Sequence, residues 1–220
     1  MTAFDFPDTC YMQSNIDDTV TSQLADLGYQ LPPGTVRFSA KRLKEFMAGR
    51  LCAIRAMAGL NVHTQTLEIN TDRSPVWPNE IVGSISHTDS RAIALVGDSR
   101  VYRSIGVDLQ PAVDPDTRQE LRSIIMTEVE FELVKAMLHL HAFELVFSAK
   151  ETLFKALYPL TKCFFEFHDA QVTALNTQRH YVDLRLLKTL GSGFEEGTSY
   201  RVHYLIDQDN EVLSYLLIVR

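Results

Sequence analysis

Cysteine is scarce in this 220-residue chain: Cys10, Cys52 and Cys163 are far apart, odd in number and never spaced as CxxC. That excludes a disulfide framework and gives no zinc or thiol-redox signature. The reading is three reduced thiols in a cytoplasmic protein. No apolar run is long enough to span a bilayer, and no basic stretch followed by an apolar one opens the chain, so neither a membrane anchor nor a signal peptide is expected. Basic excess is lacking too. A net charge of −7 argues against a general nucleic-acid binder, although a local basic cluster can still hold an anionic ligand. What remains is ordinary globular composition, 45% hydrophobic and 22% charged, enough for one domain or two small ones.

Helical periodicity is strongest at 39–60, where Leu43, Phe46, Met47, Leu51, Ile54 and Met57 recur, Ser39 can cap and Gly59 suits the exit. Its polar side carries Lys41, Arg42, Lys44, Arg50 and Arg55, for most of which a solvated face is the plainer reading. Arg50 follows Gly49, and a glycine inside a helix, costing roughly 1 kcal/mol, points to close packing or ligand approach. Before this helix, residues 1–35 read as turn-rich, with a short helix from Asp17-Asp18-Thr19 to Leu27 stopped by Gly28. After it, Arg73-Ser74-Pro75-Val76-Trp77-Pro78 is a stiff, non-helical loop. Arg73 there can hold an anionic group, and Trp77 either flanks a ligand or covers the core.

Residues 81–97 read as two strands around a turn at His87–Arg91, with Ser86 and His87 where strand meets turn. Ser104–Pro111 reads as a strand with Ile105, Val107 and Leu109 toward the core. Asp108 and Gln110 then share the opposite face: either two hard oxygen donors of the kind Mg²⁺ takes or solvated polar residues of an amphipathic edge strand. Residues 112–126 read as a loop with a short turn of helix, unusually apolar at Leu121, Ile124, Ile125 and Met126. Thr127-Glu128-Val129-Glu130 has the Thr-x-x-Glu form of a capping box opening a helix to about His141.

A second strong helix holds Phe147-Ser148-Ala149-Lys150-Glu151-Thr152-Leu153-Phe154-Lys155. Phe147, Phe154 and Leu157 share a stripe expected to face the core. Glu151 and Lys155, four apart, are either a metal ligand and a phosphate clamp or a surface pair worth about 0.2–0.5 kcal/mol. Strands are expected at 170–175, 181–187, 199–206 and 212–219, the last two joined by a turn at Asp207–Asn210. Each half thus combines a major helix with mostly antiparallel strands, although no sequence repeat is visible.

Taken in order, the Arg50 helix, Ser86-His87, Gly106-Val107-Asp108 and Phe147-Ser148-x-Lys150-Glu151-x-x-x-Lys155 resemble the 4′-phosphopantetheinyl transferase family. The similarity is to its pseudo-dimeric, siderophore type, which includes the enterobactin-synthase component, and covers about residues 37–170. It implies an α+β fold of two similar α/β subdomains, each a small antiparallel sheet with a long helix, related by a pseudo-twofold axis. The expected division is 1–103, contacting the CoA nucleotide, and 104–220, carrying the catalytic residues, with the active site between them. The implied reaction is Mg²⁺-dependent transfer of the phosphopantetheine arm of coenzyme A to a serine of an apo acyl- or peptidyl-carrier protein. By resemblance Asp108, Gln110 and Glu151 hold the metal, Lys155 clamps the pyrophosphate, and Glu151, or a metal-bound water it orients, is the candidate base. Ser86, His87, Arg50, Arg73 and Lys150 contact CoA. Many relatives have Glu where this chain has Gln110. The carrier is expected to dock on Leu121, Ile124, Ile125 and Met126, and the chain to act as a monomer. Two other readings are a non-catalytic CoA- or carrier-binding module and a metal-dependent phosphohydrolase.

Overall fold

A computed structural model describes residues 6–220. The chain forms two compact units, one of Met1–Ile105 with Ile218–Arg220, the other of Gly106–Leu217.

In the first unit an antiparallel sheet in the order β1-β3-β2 is made by β1 (Thr9–Asn15), β2 (Ile81–His87) and β3 (Arg91–Asp98). Register runs Thr9↔Gly97 to Asn15↔Arg91 and Ile81↔Asp98 to His87↔Ala92. Central β3 is buried on both faces and reads as a continuous apolar run, Ala92–Val96. Helix α1 (Thr19–Asp26) packs on α2 (Ala40–Gly59), which lies across all three strands. Ser39 caps α2 by accepting from the Arg42 backbone N–H. Gly49 is there for close packing: a Cβ at this position would sit 2.8 Å from Ile85 Cγ2. Trp77 is half-buried against this core, so it covers it.

The second unit has a five-stranded sheet in the order β4-β8-β7-β6-β5. Its strands are β4 (Tyr102–Gln110, entering this unit at Gly106), β5 (Ala170–Asn176), β6 (Tyr181–Leu186), β7 (Ser199–Ile206) and β8 (Val212–Val219). Helix α3 (Pro115–Ile125), α4 (Glu128–Val134) and α5 (Ala142–Thr161) complete it, with α5 packed on β6 and β7. The Thr127–Glu130 capping box forms as its sequence predicts.

Several expectations change. The N-terminal segment contains β1, whose ladder depends on β3 some eighty residues away and leaves little local signal. The 112–126 connector is mostly α3, a three-turn helix started by Asp114, whose carboxylate accepts from the Asp116 and Thr117 N–H groups. The helix opened by Thr127 stops at Val134 and continues as a 3-10 turn to Leu140. Helix α5 is buried nearly all round. Leu145, Ala149, Leu153 and Leu157 form its core face, while Phe147 and Phe154 are only half-buried. Finally, β4 is no solvated strand, because every residue from Ser104 to Leu109 is buried. Gly106 explains this: a Cβ there would lie 2.1 Å from the Thr152 carbonyl oxygen, so only glycine lets α5 cover the polar face of β4 so closely.

Candidate active site

The close approach at Gly106 brings α5 residues onto Asp108. Asp108 Oδ1 accepts from Lys155 Nζ at 2.6 Å, and Oδ2 accepts from Ser148 Oγ at 2.9 Å. The lysine side chain stays a quarter exposed, so one side of this pair opens outward. Glu151, one turn before Lys155, is half-buried, and its carboxylate has no hydrogen bond or ion pair among the described residues. Burial pushes its pKa above the ordinary carboxylate value; the Lys155 ammonium pulls it back, and the Asp108 charge adds to the rise. Gln110 donates from Nε2 to the Pro111 carbonyl at 3.1 Å, which leaves its own carbonyl oxygen as an acceptor.

This donor set suits a hard divalent cation. The Asp108 charge adds to the rise at Glu151, and the Gln110 amide oxygen stands on the same strand as Asp108; these are oxygen ligands whose repulsion such an ion would relieve. No group of three or more His, Cys, Asp or Glu side chains gathers into a metal cluster among the described residues. The set is therefore two carboxylates and an amide.

Beside Glu151 opens a cavity of about 500 Å³. Phe154, Phe164, Phe165, Phe167 and Ile124 line it together with the polar side chains of Glu166 and His168. Phe154 packs on Phe164 and Phe165 with ring centroids 5.4 and 5.2 Å apart.

Lys150 also lines this cavity, but its ammonium is held by the protein itself. It is 3% exposed, and its ammonium donates to the Ile125 and Phe167 carbonyls at 2.8 and 2.9 Å and pairs with Glu130 Oε1 at 2.8 Å. Glu130, itself fully buried, also accepts from the backbone N–H groups of Thr127 and Val172. Three donors meet three acceptors, so the expected phosphate contact of Lys150 gives way to a structural joint tying α3, α4, α5 and β5 together. Burial lowers the Lys150 pKa, and Glu130 opposes that.

In the first unit, Arg50 is likewise displaced from its expected role. It is 5% exposed, lies 4.4 Å over the Phe46 ring and donates to the Leu67 carbonyl. The guanidinium holds the 64–75 loop and lies on no polar face. Arg73 is exposed, in a left-handed conformation at φ 68°. Ser86 is buried near the end of β2, and His87 is half-buried at its last position. His87 Nε2 lies 2.9 Å from Arg42 Nη1. A guanidinium has only donors, so Nε2 accepts and the ring proton sits on Nδ1. Arg42, assigned by its sequence context to a solvated face, is the exposed cation beside His87. Its i+45 spacing carried no local signal.

Comparison with known proteins decides the family. Residues 36–97 match the model of the 4′-phosphopantetheinyl transferase N-terminal domain, and residues 104–214 that of the 4′-phosphopantetheinyl transferase superfamily. The chain belongs to the 4′-phosphopantetheinyl transferase superfamily. Among curated relatives it is 31% identical to enterobactin synthase component D of Salmonella typhimurium, over 79% of this chain and 71% of that protein. It is 34% identical to 4′-phosphopantetheinyl transferase PptT of Mycobacterium tuberculosis, over 64% of this chain and 62% of PptT. To 4′-phosphopantetheinyl transferase Npt of Nocardia iowensis it is 33% identical over 60% of each chain. The match thus spans about three fifths of the length of the last two relatives. The superfamily match includes both Asp108 on β4 and the Ser148–Lys155 segment of α5.

Ile125 and Met126, expected in a docking face, are 1% and 3% exposed, because the end of α3 turns them into the second unit's core. Ile124, at 57%, is exposed, and Leu121 is half-buried. No helix among the described residues is long and apolar enough to cross a membrane.

Proposed function

We propose that this chain transfers the 4′-phosphopantetheine arm of coenzyme A to a serine of an apo acyl- or peptidyl-carrier protein and releases adenosine 3′,5′-bisphosphate. Family membership supports the reaction class. The observation that carries the assignment is Glu151: a half-buried carboxylate with raised proton affinity and no hydrogen bond or ion pair among the described residues, beside Asp108 and one turn from Lys155.

In this reading Glu151 takes the proton of the carrier serine, whose oxygen bonds to the phosphorus bearing the pantetheine. The phosphoanhydride bond breaks, and adenosine bisphosphate leaves with the electron pair. Lys155 moves from Asp108 to the pyrophosphate, where its ammonium stabilises developing charge. Asp108 and Glu151, with the Gln110 amide oxygen beside them, would hold Mg²⁺. When bound, that ion offsets negative charge on the pyrophosphate. The aromatic cavity takes the uncharged pantetheine arm, since its lining offers apolar surface next to Glu151. On the first unit, Ser86, His87 and Arg73 remain candidates for CoA phosphates, and Arg42 replaces Arg50 as the cation beside His87. Ile124, exposed and lining the cavity, offers the carrier an apolar contact, with Leu121 on the same helix. The three thiols, none in a disulfide, suit a reducing compartment such as the cytoplasm, and the chain is taken to act as a monomer.

Intact-protein mass spectrometry of an apo carrier protein incubated with this chain, CoA and Mg²⁺ tests the reading. It predicts a gain of one phosphopantetheine per carrier, abolished by EDTA. CoA binding without any gain across acyl- and peptidyl-carriers would favour a binding module. Phosphate release without a carrier would favour a hydrolase.

A further inference from the structure

Asp108 Oδ2 begins a chain of buried hydroxyls that none of the signature motifs explains in full. Ser148 Oγ donates to Oδ2 at 2.9 Å and lies 2.7 Å from Ser214 Oγ on β8. Ser214 Oγ lies 2.6 Å from Thr152 Oγ1. All three hydroxyl residues are buried to 1% exposure or less. Proton counting fixes the direction. The carboxylate, paired with the Lys155 ammonium, only accepts, so the single Ser148 proton is committed to it. Ser148 must then accept from Ser214, and Ser214 Oγ, its own proton spent, from Thr152, whose Oγ1 lies 2.6 Å from it and 3.3 Å from the Ser214 carbonyl oxygen, the longer contact. Every hydroxyl dipole therefore points toward Asp108.

We infer that Ser214 and Thr152 are positioning residues for Asp108, acting through Ser148 by a one-way chain Thr152→Ser214→Ser148→Asp108. This rests on Asp108 being part of the proposed site. The chain holds Oδ2 inward and so presents Oδ1 outward, toward Lys155 and any cation bound there. Ser214 stands at an inward-facing position of an otherwise apolar strand, Val212–Val219, where a core residue would be expected. Its hydroxyl is tolerated because both neighbours are hydroxyls. Outer partners of this kind matter to ligand groups: their removal costs about 10–100-fold in metal affinity or activity.

The test is Mn²⁺ binding to the full chain with CoA present, followed by the electron paramagnetic resonance signal of free Mn²⁺, in Ser148→Ala, Ser214→Ala and Thr152→Val, with thermal unfolding of each. The expected result is graded weakening along the chain: about 10-fold or more for Ser148→Ala, less for Ser214→Ala, least but measurable for Thr152→Val. Ser214→Thr, which keeps the hydroxyl, should recover affinity relative to Ser214→Ala. Thr152→Val is nearly isosteric and keeps the fold, and its lost hydroxyl reaches Asp108 only through the other two. Wild-type affinity in Thr152→Val and Ser214→Ala, or losses that follow unfolding temperature and not chain order, would overturn the inference while leaving the site reading intact. A wild-type protein that binds no Mn²⁺ would overturn the metal assignment and the inference with it.

Discussion

Helix α5 carries two lysine–carboxylate sites, and they differ in what is left over. At Lys150 the ammonium has three acceptors, Glu130 is bonded from several sides, and both are fully sequestered. At Lys155 the pair with Asp108 is partly open, and Glu151 beside it makes no hydrogen bond or ion pair among the described residues. A saturated buried pair is architecture: it has no spare donor for a ligand, and breaking it strands a charge. A perturbed carboxylate at a partly open site is a candidate for chemistry. Burial first, then the Asp108 charge, raises the proton affinity of Glu151 against the pull of Lys155.

This comparison can be broken most severely at the closed site. Lys150→Met should destabilise the fold by about 3–5 kcal/mol, because Glu130 stays buried without its cation; urea unfolding followed by circular dichroism would measure it. A near-neutral Lys150→Met would mean that the joint holds little. Next, Gly106→Ala forces a Cβ onto the Thr152 carbonyl. Overpacking of this kind costs about 1–3 kcal/mol, and because α5 must retreat from β4, transfer should fall more than the loss of folded protein explains. A variant with unchanged carrier modification would show that the close approach is dispensable.

Sequence patterns made both major helices, the capping box and most of the strands legible, because each is a local signal: periodicity, a cap, an alternation. Spacing alone paired Glu151 with Lys155; only the family resemblance joined Asp108 to them. The patterns did not distinguish Lys150 from Lys155, since a lysine next to a glutamate on a helix looks the same whether its ammonium meets carbonyls from Ile125 and Phe167 or opens to solvent. That distinction lies in contacts 17 and 25 residues away. Arg50 misled for the same reason: its partners, Phe46 and the Leu67 carbonyl, turn an apparent polar face into buried packing. Helix α3 was missed although Asp114-Pro115 is a good start signal, because apolar residues near its end suggested a docking loop in place of a core contact.

A smaller effect tests the fold away from the site. Burial, then the Arg201 charge, lower the His203 pKa below its usual 6.5, where the ring stacks on Tyr215. The folded state then holds fewer protons than the unfolded one just below pH 6.5, so this residue's contribution is present above that value and lost as pH falls through its folded pKa. Nuclear magnetic resonance titration should find the His203 midpoint below 6.5, and His203→Gln should slightly reduce the acid sensitivity of unfolding. A midpoint above 6.5 would contradict the assigned cause.

The most direct test of the account is the rate of carrier modification by Glu151→Gln, measured on protein whose unfolding curve is recorded alongside. Because Glu151 is half-buried, has no hydrogen bond or ion pair among the described residues, and burial disfavours its charged form, replacing it should leave stability unchanged or raise it, while transfer falls by about 10²–10⁴-fold, the range for losing a general base. Glu151→Gln that unfolds more easily would place Glu151 with the structural pair, and one that modifies the carrier at the wild-type rate would remove it from the chemistry.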